Sequence, residues 1–337
     1  MTSPFAVIAN PSDNTHHLLF FLAGTTQQLA FEVRPPVHVQ EWNKYTPNNV
    51  PKGNVANPTA LAVTTLDGVV TVYGLAGVTA SSTQAVTNYV STLSPVLNPI
   101  STDASAIPAT TSLAACANPT GTANYVYYIS TTDNIYYHIR EFLVDGATTV
   151  ANAAWTKSVP SLNTQLAAVT FNATGDRFVM YANTDGNIDY GLYYIGSKDT
   201  TRKCCHRIIF LMTLRTGADE FLLIAQLIDG SSGVRNASPL AVASFHRSDD
   251  SGHYLDVFLY YVDNNHALFR SAGRVRGGSM QWFECLQSNG PKVDQSSLIT
   301  ATTDGTTNYI YYLRKDATTS RGPPFAETIE STWFNKT

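Results

Sequence analysis

The residues best suited to chemistry in this 337-residue chain are polar side chains that follow short apolar segments. His246 has an imidazole whose ordinary pKa lies near neutrality, so it can serve as a general acid or base. Arg247 can hold ligand oxygens through paired hydrogen bonds. Equivalent segments end at Asn10, Asp67, Asn118, Asn172 and Asp304. We expect these side chains to form a polar ring at one end of the molecule, unless the Asn and Asp residues serve only to cap turns.

An internal repeat must position this ring. Segments such as SLAACAN at Ser112 and PLAVASFH at Pro239 share an apolar strand start. The equivalent positions are Val7, Leu61, Leu113, Leu166, Leu240 and Leu298. Each unit holds about four short runs rich in Val, Ile, Tyr, Phe and Thr, separated by Asn, Asp, Gly and Ser turns. This pattern predicts an all-β, six-bladed β-propeller with about four antiparallel strands per blade. A two-domain sandwich is the structural alternative.

The repeat predicts a single propeller domain over residues 1–337. The expected blades cover approximately 4–46, 58–98, 110–160, 163–232, 237–290 and 296–335. Each tryptophan follows its own repeat start by 35 residues (Trp42, Trp333) or 42 residues (Trp155, Trp282). The long fourth unit contains an insertion at Lys203–Gln226, which we expect to supply the outer strand of that blade or a loop over one face.

The composition of the chain limits the classes of partner that it is expected to bind. A net charge of −4 without any basic run argues against nucleic acid. No apolar stretch is long enough for a membrane span. The chain shows no secretory signal, and its four cysteines form no C-x-x-C pair, which predicts reduced thiols and a cytoplasmic location. Histidine and cysteine spacings predict no metal site, and no cofactor motif is found. The assembly stays open, with a homodimer as one possibility.

The strand pattern resembles the fungal fucose-specific lectin type of six-bladed propeller. The resemblance is carried by second strands such as NYVYYISTTDN (Asn124 to Asn134) and NYIYYLRKD (Asn308 to Asp316), by the LAA-type first strands and by the late tryptophan of the blade. It implies sugar pockets between neighbouring blades. In that family each pocket uses an Arg in the second strand, a Glu in the third and an aromatic platform.

The chain departs from this pattern where the Arg is expected. That position holds Leu18, Tyr125, Phe178, Phe258 and Tyr309. Arg177 lies one residue away, so strand alternation turns it to the other face. Glu32 and Glu141 lie near the Glu position, but neither has a matching second-strand Arg in its blade. Tyr and Phe cannot replace a guanidinium in clasping sugar hydroxyls, which weakens the expectation of fucose binding.

A lectin-like propeller with rings in place of the Arg–Glu sites also resembles the fungal hetero-Diels–Alderases of tropolonic sesquiterpene biosynthesis. This resemblance implies a cofactor-independent cycloaddition between a tropolone-derived quinone methide and a terpene alkene, with apolar polyketide and terpene partners. Positioning of two reactants supplies much of such a rate enhancement. The catalytic candidates are His246, Arg247 and Asp304. The substrate-binding candidates are Asp67, Asn118, Asn172, Tyr125, Tyr309, Trp155, Trp282 and Trp333.

Other interpretations stay open at this stage. The first alternative is a fucose-type carbohydrate-binding lectin, and the second is a protein-interaction propeller without a pocket. The aromatic candidates can equally form the core between blades. Asp67 and Asp304, if they face each other across the axis, also leave glycoside hydrolysis open.

Overall fold

A computed structural model of the chain shows antiparallel β-strands throughout the residues that it describes. These residues are 4–23, 28–35, 43–45, 54–56, 59–79, 86–100, 112–132, 136–145, 149–151, 164–171, 177–182, 188–193, 224–227, 238–249, 252–276, 279–315 and 325–329. No helix occurs within these ranges. In the same ranges, therefore, nothing helical is long and apolar enough to cross a membrane.

The described strands form six antiparallel sheets, which we call blades one to six in chain order. Blade one contains β1 (Phe5–Asn10), β2 (Asp13–Ala23), β3 (Gln28–Arg34) and β4 (Asn43–Tyr45). Blade two contains β5 (Ala62–Leu66), β6 (Val69–Thr79), β7 (Val86–Ser94) and β8 (Asn98–Pro99). Blade three contains β9 (Leu113–Ala117), β10 (Asn124–Thr132), β11 (Tyr136–Val144) and β12 (Thr149–Ala151). Blade four contains β13 (Ala167–Thr170), β14 (Arg177–Ala182), β15 (Ile188–Tyr193) and β16 (Ile224–Leu227). Blade five contains β17 (Leu240–Asp249), β18 (Gly252–Val262), β19 (Leu268–Arg276) and β20 (Ser279–Gln287). Blade six contains β21 (Thr300–Thr303), β22 (Thr307–Tyr311) and β23 (Phe325–Thr328).

The first strand of every blade is innermost. Residues from β1, β5, β9, β13, β17 and β21, or directly beside them, line one shared cavity. The ring closes where β21 packs against β1, and there the backbone N–H of Val7 donates to Thr300 Oγ1 at 3.1 Å. The predicted all-β propeller of antiparallel sheets is therefore confirmed. The larger part of the insertion at Lys203–Gln226 lies outside the described residues, and its last three residues begin β16, the outer strand of blade four.

The apolar core lies between neighbouring blades rather than within one sheet. Alternate residues of each strand face opposite neighbours. In blade five, Leu240 packs toward blade four, whereas Ala241 and Ala243 pack toward blade six. Short turns leave the strands free to pair along their length, and Asp67 and Gly68 form a two-residue hairpin turn with φ values of 50° and 77°.

In each of four blades, a buried side-chain hydroxyl lies just before the first strand. Each one accepts a hydrogen bond from a backbone N–H within the second strand or just beyond it. The pairs are Thr59 with Leu75 (2.9 Å), Thr164 with Ala182 (2.9 Å), Ser238 with Val262 (3.0 Å) and Ser297 with Leu313 (2.8 Å). These bonds tie the chain entering a blade to its second strand, so the repeat extends to polar positions just ahead of the apolar strand start.

Second-strand tyrosines connect neighbouring blades. Each hydroxyl lies within hydrogen-bond distance of a buried polar side chain near the start of the second strand in the next blade. The pairs are Tyr73 and Asn124 (2.8 Å), Tyr127 and Arg177 (2.7 Å), Tyr260 and Asn308 (2.8 Å), and Tyr311 and His17 (2.7 Å). The last pair crosses from blade six to blade one. These contacts give the ring polar links in addition to its apolar packing.

Candidate functional site

The expected ring of strand-end residues can be followed at two junctions, between blades two and three and between blades five and six. The turns of neighbouring blades touch there. The backbone N–H of Asp67 donates to the carbonyl of Gly121 at 2.7 Å, and Arg247 Nη2 donates to the carbonyl of Gly305 at 3.1 Å. Asn172 lies outside the described residues.

Several members of this ring cap their own turns. Asn118 Oδ1 accepts from the backbone N–H groups of Thr122 and Ala123, at 2.9 and 3.2 Å. Asp304 accepts from the backbone N–H groups of Thr306 and Thr307 at 2.8 and 2.7 Å, and its Oδ2 accepts from Tyr309 Oη at 2.9 Å. Burial acts to raise the pKa of Asp304, but these hydrogen bonds hold it below its ordinary value. Both side chains thus serve the turn geometry that the sequence offered as the alternative.

His246 and Arg247 point to opposite faces of β17. His246 pairs with Leu255 across the hairpin and is exposed. Arg247 pairs with Tyr254 and faces blade six, where it meets Gly305. Because successive side chains of a strand alternate, these neighbours in sequence do not converge on one ligand from this strand alone.

The aromatic candidates that the structure describes belong to blade junctions. Tyr125 is buried, and the guanidinium carbon of Arg177 lies 3.6 Å from its ring centroid. Tyr309 is buried beside His17, with ring centroids 4.7 Å apart. Trp282 packs, partly buried, on the core between blades four and five. Trp155 and Trp333 lie outside the described residues.

Two Arg–Glu pairs are present despite the departures noted in the sequence. Glu32 accepts from Arg34 Nε and Nη2, at 2.9 and 2.6 Å, and Arg34 lies two residues farther along the same strand. Glu141 accepts from Arg177 Nε and Nη2 across the junction between blades three and four, at 2.8 and 2.5 Å. Both guanidiniums are about 1% exposed. These pairs are therefore closed to a ligand.

Glu141 and Arg177 are held further by Tyr127, whose hydroxyl donates to Glu141 Oε2 at 2.6 Å. Burial alone would lower the pKa of Arg177, but Tyr127 and Glu141 raise it above its ordinary value. The sequence placed Arg177 one residue away from the lectin position. It could not show that Glu141, from the preceding blade, would meet it there.

A different set of charges lines the cleft between blades five and six. Asp256 in β18 and Arg274 in β19 are directly opposite each other, and Arg274 Nε donates to Asp256 Oδ1 at 2.8 Å. Arg247 Nε lies 3.3 Å from Asp256 Oδ2. The guanidinium carbon of Arg274 lies 4.1 Å from the ring centroid of Tyr254, and that of Arg247 lies 4.4 Å from the ring centroid of Phe245. A carboxylate, two guanidiniums and two aromatic rings thus lie on one face of the blade-five sheet, on strands β17, β18 and β19.

At this cleft the first strand of blade five is longer than that of blade six. Strand β17 has 10 residues, whereas β21 of blade six has 4. The Arg247 side chain is 30% exposed, whereas Asp256 is 5% exposed. Burial raises the pKa of Asp256, and Arg274, Arg247 and Arg276 oppose that rise. A ligand that enters the cleft meets Arg247 first and the fixed Asp256–Arg274 pair behind it.

Sequence reasoning nominated Arg247 but missed Asp256, Arg274 and Tyr254. One signal was available. Arg270, Arg274 and Arg276 occupy even positions of a single strand, and period-two alternation places them on one face. The carboxylate that shares this face depends on the register between β18 and β19, which the sequence alone does not fix.

The axis of the propeller contains a cavity of about 330 Å³. Its described lining is mainly Ala, Val, Leu and Thr from the inner strands and does not include His246, Arg247 or Asp304. Gln165 of blade four reaches to blade six beside this cavity. Its Nε2 donates to the carbonyl of Ile299 at 2.7 Å, and its Oε1 accepts from the Ile299 N–H at 3.2 Å. The side-chain amide thereby satisfies both backbone groups of one inner-strand residue.

Comparison with known proteins gives relatives that match along the whole chain. A protein named wall-associated proteinase, from Coccidioides immitis (strain RS), is 31% identical over 342 residues, which covers 100% of this chain and 99% of the relative. A protein of the same name from Coccidioides posadasii is 30% identical. No family model matches the chain.

Solved structures share the fold at low identity. The fucose-specific lectin from Aleuria aurantia superposes with a TM-score of 0.60 and 14% identity, covering 93% of this chain and 88% of the lectin. The SapL1 lectin, solved in complex with alpha methyl fucoside, gives a TM-score of 0.58 and 14% identity, covering 98% of this chain and 93% of that lectin. The predicted likeness to the fucose-specific lectin fold is confirmed.

Proposed function

The chain belongs to the family of the wall-associated proteinase of Coccidioides immitis, and we propose that it is a carbohydrate-binding propeller whose ligand site is the cleft between blades five and six. One observation carries this proposal. The cleft brings the Asp256–Arg274 pair, the partly exposed Arg247 and the Tyr254 ring onto one face of the blade-five sheet.

The chemistry of the cleft fits a sugar. Hydroxyl groups bind well to a carboxylate and a guanidinium held rigidly side by side, because charge-assisted hydrogen bonds are short and directional. The sequence resemblance implies an Arg in the second strand and a Glu in the third for the fucose lectins. Here the carboxylate is in the second strand and the guanidinium in the third. The same two groups thus occur between the same kinds of strand with their places exchanged, which supports sugar binding but not specifically fucose.

The name of the relative raises the question of peptide hydrolysis. In the described residues, His16 Nδ1 lies 2.6 Å from Asp13 Oδ2, which resembles the Asp–His part of a catalytic triad. The neighbouring hydroxyl, Thr15 Oγ1, lies 3.0 Å from the same Nδ1 and donates to Asp13. A triad nucleophile must instead meet the opposite ring nitrogen. This geometry favours a turn cap, and we do not assign proteolysis to it.

The axial cavity supports a second candidate, the cycloaddition of a tropolone-derived quinone methide with a terpene alkene. Its volume of about 330 Å³ lies at the lower end of small-molecule pockets. The proposed acid–base residues His246 and Asp304 lie outside its described lining. Incubation of the purified protein with both reactants and product analysis by mass spectrometry tests this candidate, and it is rejected if product forms no faster than in buffer.

Glycan-array binding followed by titration calorimetry tests the carbohydrate proposal. We expect the full chain to bind a defined group of glycans, and Arg247→Ala to weaken that binding at least about tenfold by removing a charge-assisted contact. Lys292→Ala is the matched control, because it removes an exposed cation from the opposite end of blade six. An array without hits, or equal affinities for the wild type and Arg247→Ala, rejects the proposal. A casein-cleavage assay on the same preparation tests proteolysis in parallel.

A further inference from the structure

The cleft between blades five and six concentrates positive charge. Three guanidiniums, those of Arg247, Arg274 and Arg276, lie close enough to Asp256 to act on its pKa. The facing turn carries the carboxylate of Asp304, next to Gly305. Its oxygens accept hydrogen bonds from Thr306, Thr307 and Tyr309. Cationic groups therefore outnumber these two carboxylates in the described part of the cleft.

These arginine side chains differ in how deeply they are buried, and therefore in what they can contact. Arg274 is 9% exposed and bonded to Asp256, so this pair forms the base of the cleft. Arg247, at 30% exposed, and the exposed Arg276 reach solvent. The guanidinium carbon of Arg276 lies 5.2 Å from the centroid of the Tyr254 ring, beside the ring that Arg274 also contacts. The two guanidiniums that reach solvent, those of Arg247 and Arg276, are consequently the groups that a ligand meets first.

Resting on the carbohydrate-binding function proposed above, we propose that this cleft selects sugars that carry an anionic group, either a uronate carboxylate or a phosphate monoester. Guanidinium recognises both groups through planar, paired hydrogen bonds, which hydroxyls of a neutral sugar cannot match. A cleft with low-polarity walls also strengthens the field of its charges and attracts ligands of opposite sign. The buried Asp256–Arg274 pair remains available to orient the neighbouring hydroxyls.

Matched sugars make this inference testable. Methyl galactoside, methyl galacturonide and the methyl ester of the latter differ at one carbon, and mannose and mannose 6-phosphate form a second pair. Titration of the full chain with each compound is expected to give at least tenfold tighter binding for the anionic member. Esterification should abolish that gain, and 300 mM salt should reduce it relative to 20 mM salt. The galacturonide and phosphate arms show which anion is preferred.

Single substitutions test which side chains produce the preference for anionic sugars. Arg276→Gln is expected to weaken binding of the anionic sugar about tenfold, whereas Lys292→Gln, which removes a cation elsewhere, leaves it as in the wild type. Equal affinity for neutral and anionic members overturns the anionic preference and leaves the carbohydrate proposal standing. Absence of binding to every sugar, neutral or charged, overturns both. Thermal unfolding of each variant verifies that the cleft is folded during the measurement.

Discussion

The hydroxyl of Tyr311 in blade six lies 2.7 Å from Nδ1 of His17 in blade one, and this contact joins two residues 294 positions apart. His17 is buried and also faces the ring of Tyr309. The pair lies where the two ends of the chain meet to complete the propeller. Stability at this junction therefore depends on a titratable side chain.

Acid is expected to destabilise the protein through His17. Burial lowers its pKa from 6.5 to about 4, so the folded state excludes a proton that the unfolded chain takes up. The contribution is intact above pH 6.5, declines as the pH falls toward 4 and changes little below that. Thermal unfolding followed by circular dichroism between pH 7.5 and 4 measures this slope. His17→Gln should flatten it and the exposed-site control His253→Gln should not. Equal slopes in the wild type and His17→Gln contradict the assignment.

Glu141→Gln is expected to lower the free energy of unfolding by about 3 kcal/mol, because it leaves the buried guanidinium of Arg177 without its anionic partner. Urea denaturation measures this loss. The double variant Arg177→Met/Glu141→Met should recover at least half of it, since no charge then remains buried. A Glu141→Gln value within about 0.5 kcal/mol of the wild type would show that the pair does not hold blades three and four together.

Gly305→Ala is expected to cost about 1 kcal/mol of stability and to weaken glycan binding. Its φ of +89° is strained for a residue with a Cβ, and its carbonyl accepts from Arg247 Nη2. Gly121→Ala, with a φ of +72° in a turn of blade three, provides the matched control with a similar stability loss but unchanged binding. Calorimetry and thermal unfolding of both variants test the point. Equal affinity in the two variants argues against a role of the blade-six turn in placing Arg247.

Gln165→Leu is expected to destabilise the propeller by about 1–3 kcal/mol, because both backbone groups of the buried Ile299 lose their partner. The exposed-site variant Gln281→Leu should stay close to the wild type. Chemical denaturation compares the two. Should Gln165→Leu unfold at the same urea concentration as the wild type, the contact between blades four and six contributes nothing to stability.

The sequence predicted the propeller because the same strand pattern repeats along the chain. Strand starts at Leu61, Leu113 and Leu240 recur with their aromatic followers, and each blade packs on the next by the same apolar faces. The ring of polar strand ends was predicted for the same reason. That Asn118 and Asp304 cap turns was offered as an alternative, and their hydrogen bonds fit it.

The candidate cleft was harder to predict. Asp256 meets Arg274 only because the β18–β19 register sets them opposite each other, and Arg177 meets Glu141 only because two blades pack together. Contacts of this kind join residues 18 and 36 positions apart. They depend on turn geometry and inter-blade distance, which local patterns do not encode.

The long first strand of blade five has a consequence for valency. A lectin with equivalent clefts around its rim can cross-link glycans on two surfaces as a monomer. Among the blades whose first strands are described, β17 alone reaches 10 residues, and the others have 4 to 6. A chain that presents one such cleft would coat a polysaccharide without agglutinating cells, and would gain avidity only by assembling with further copies of itself.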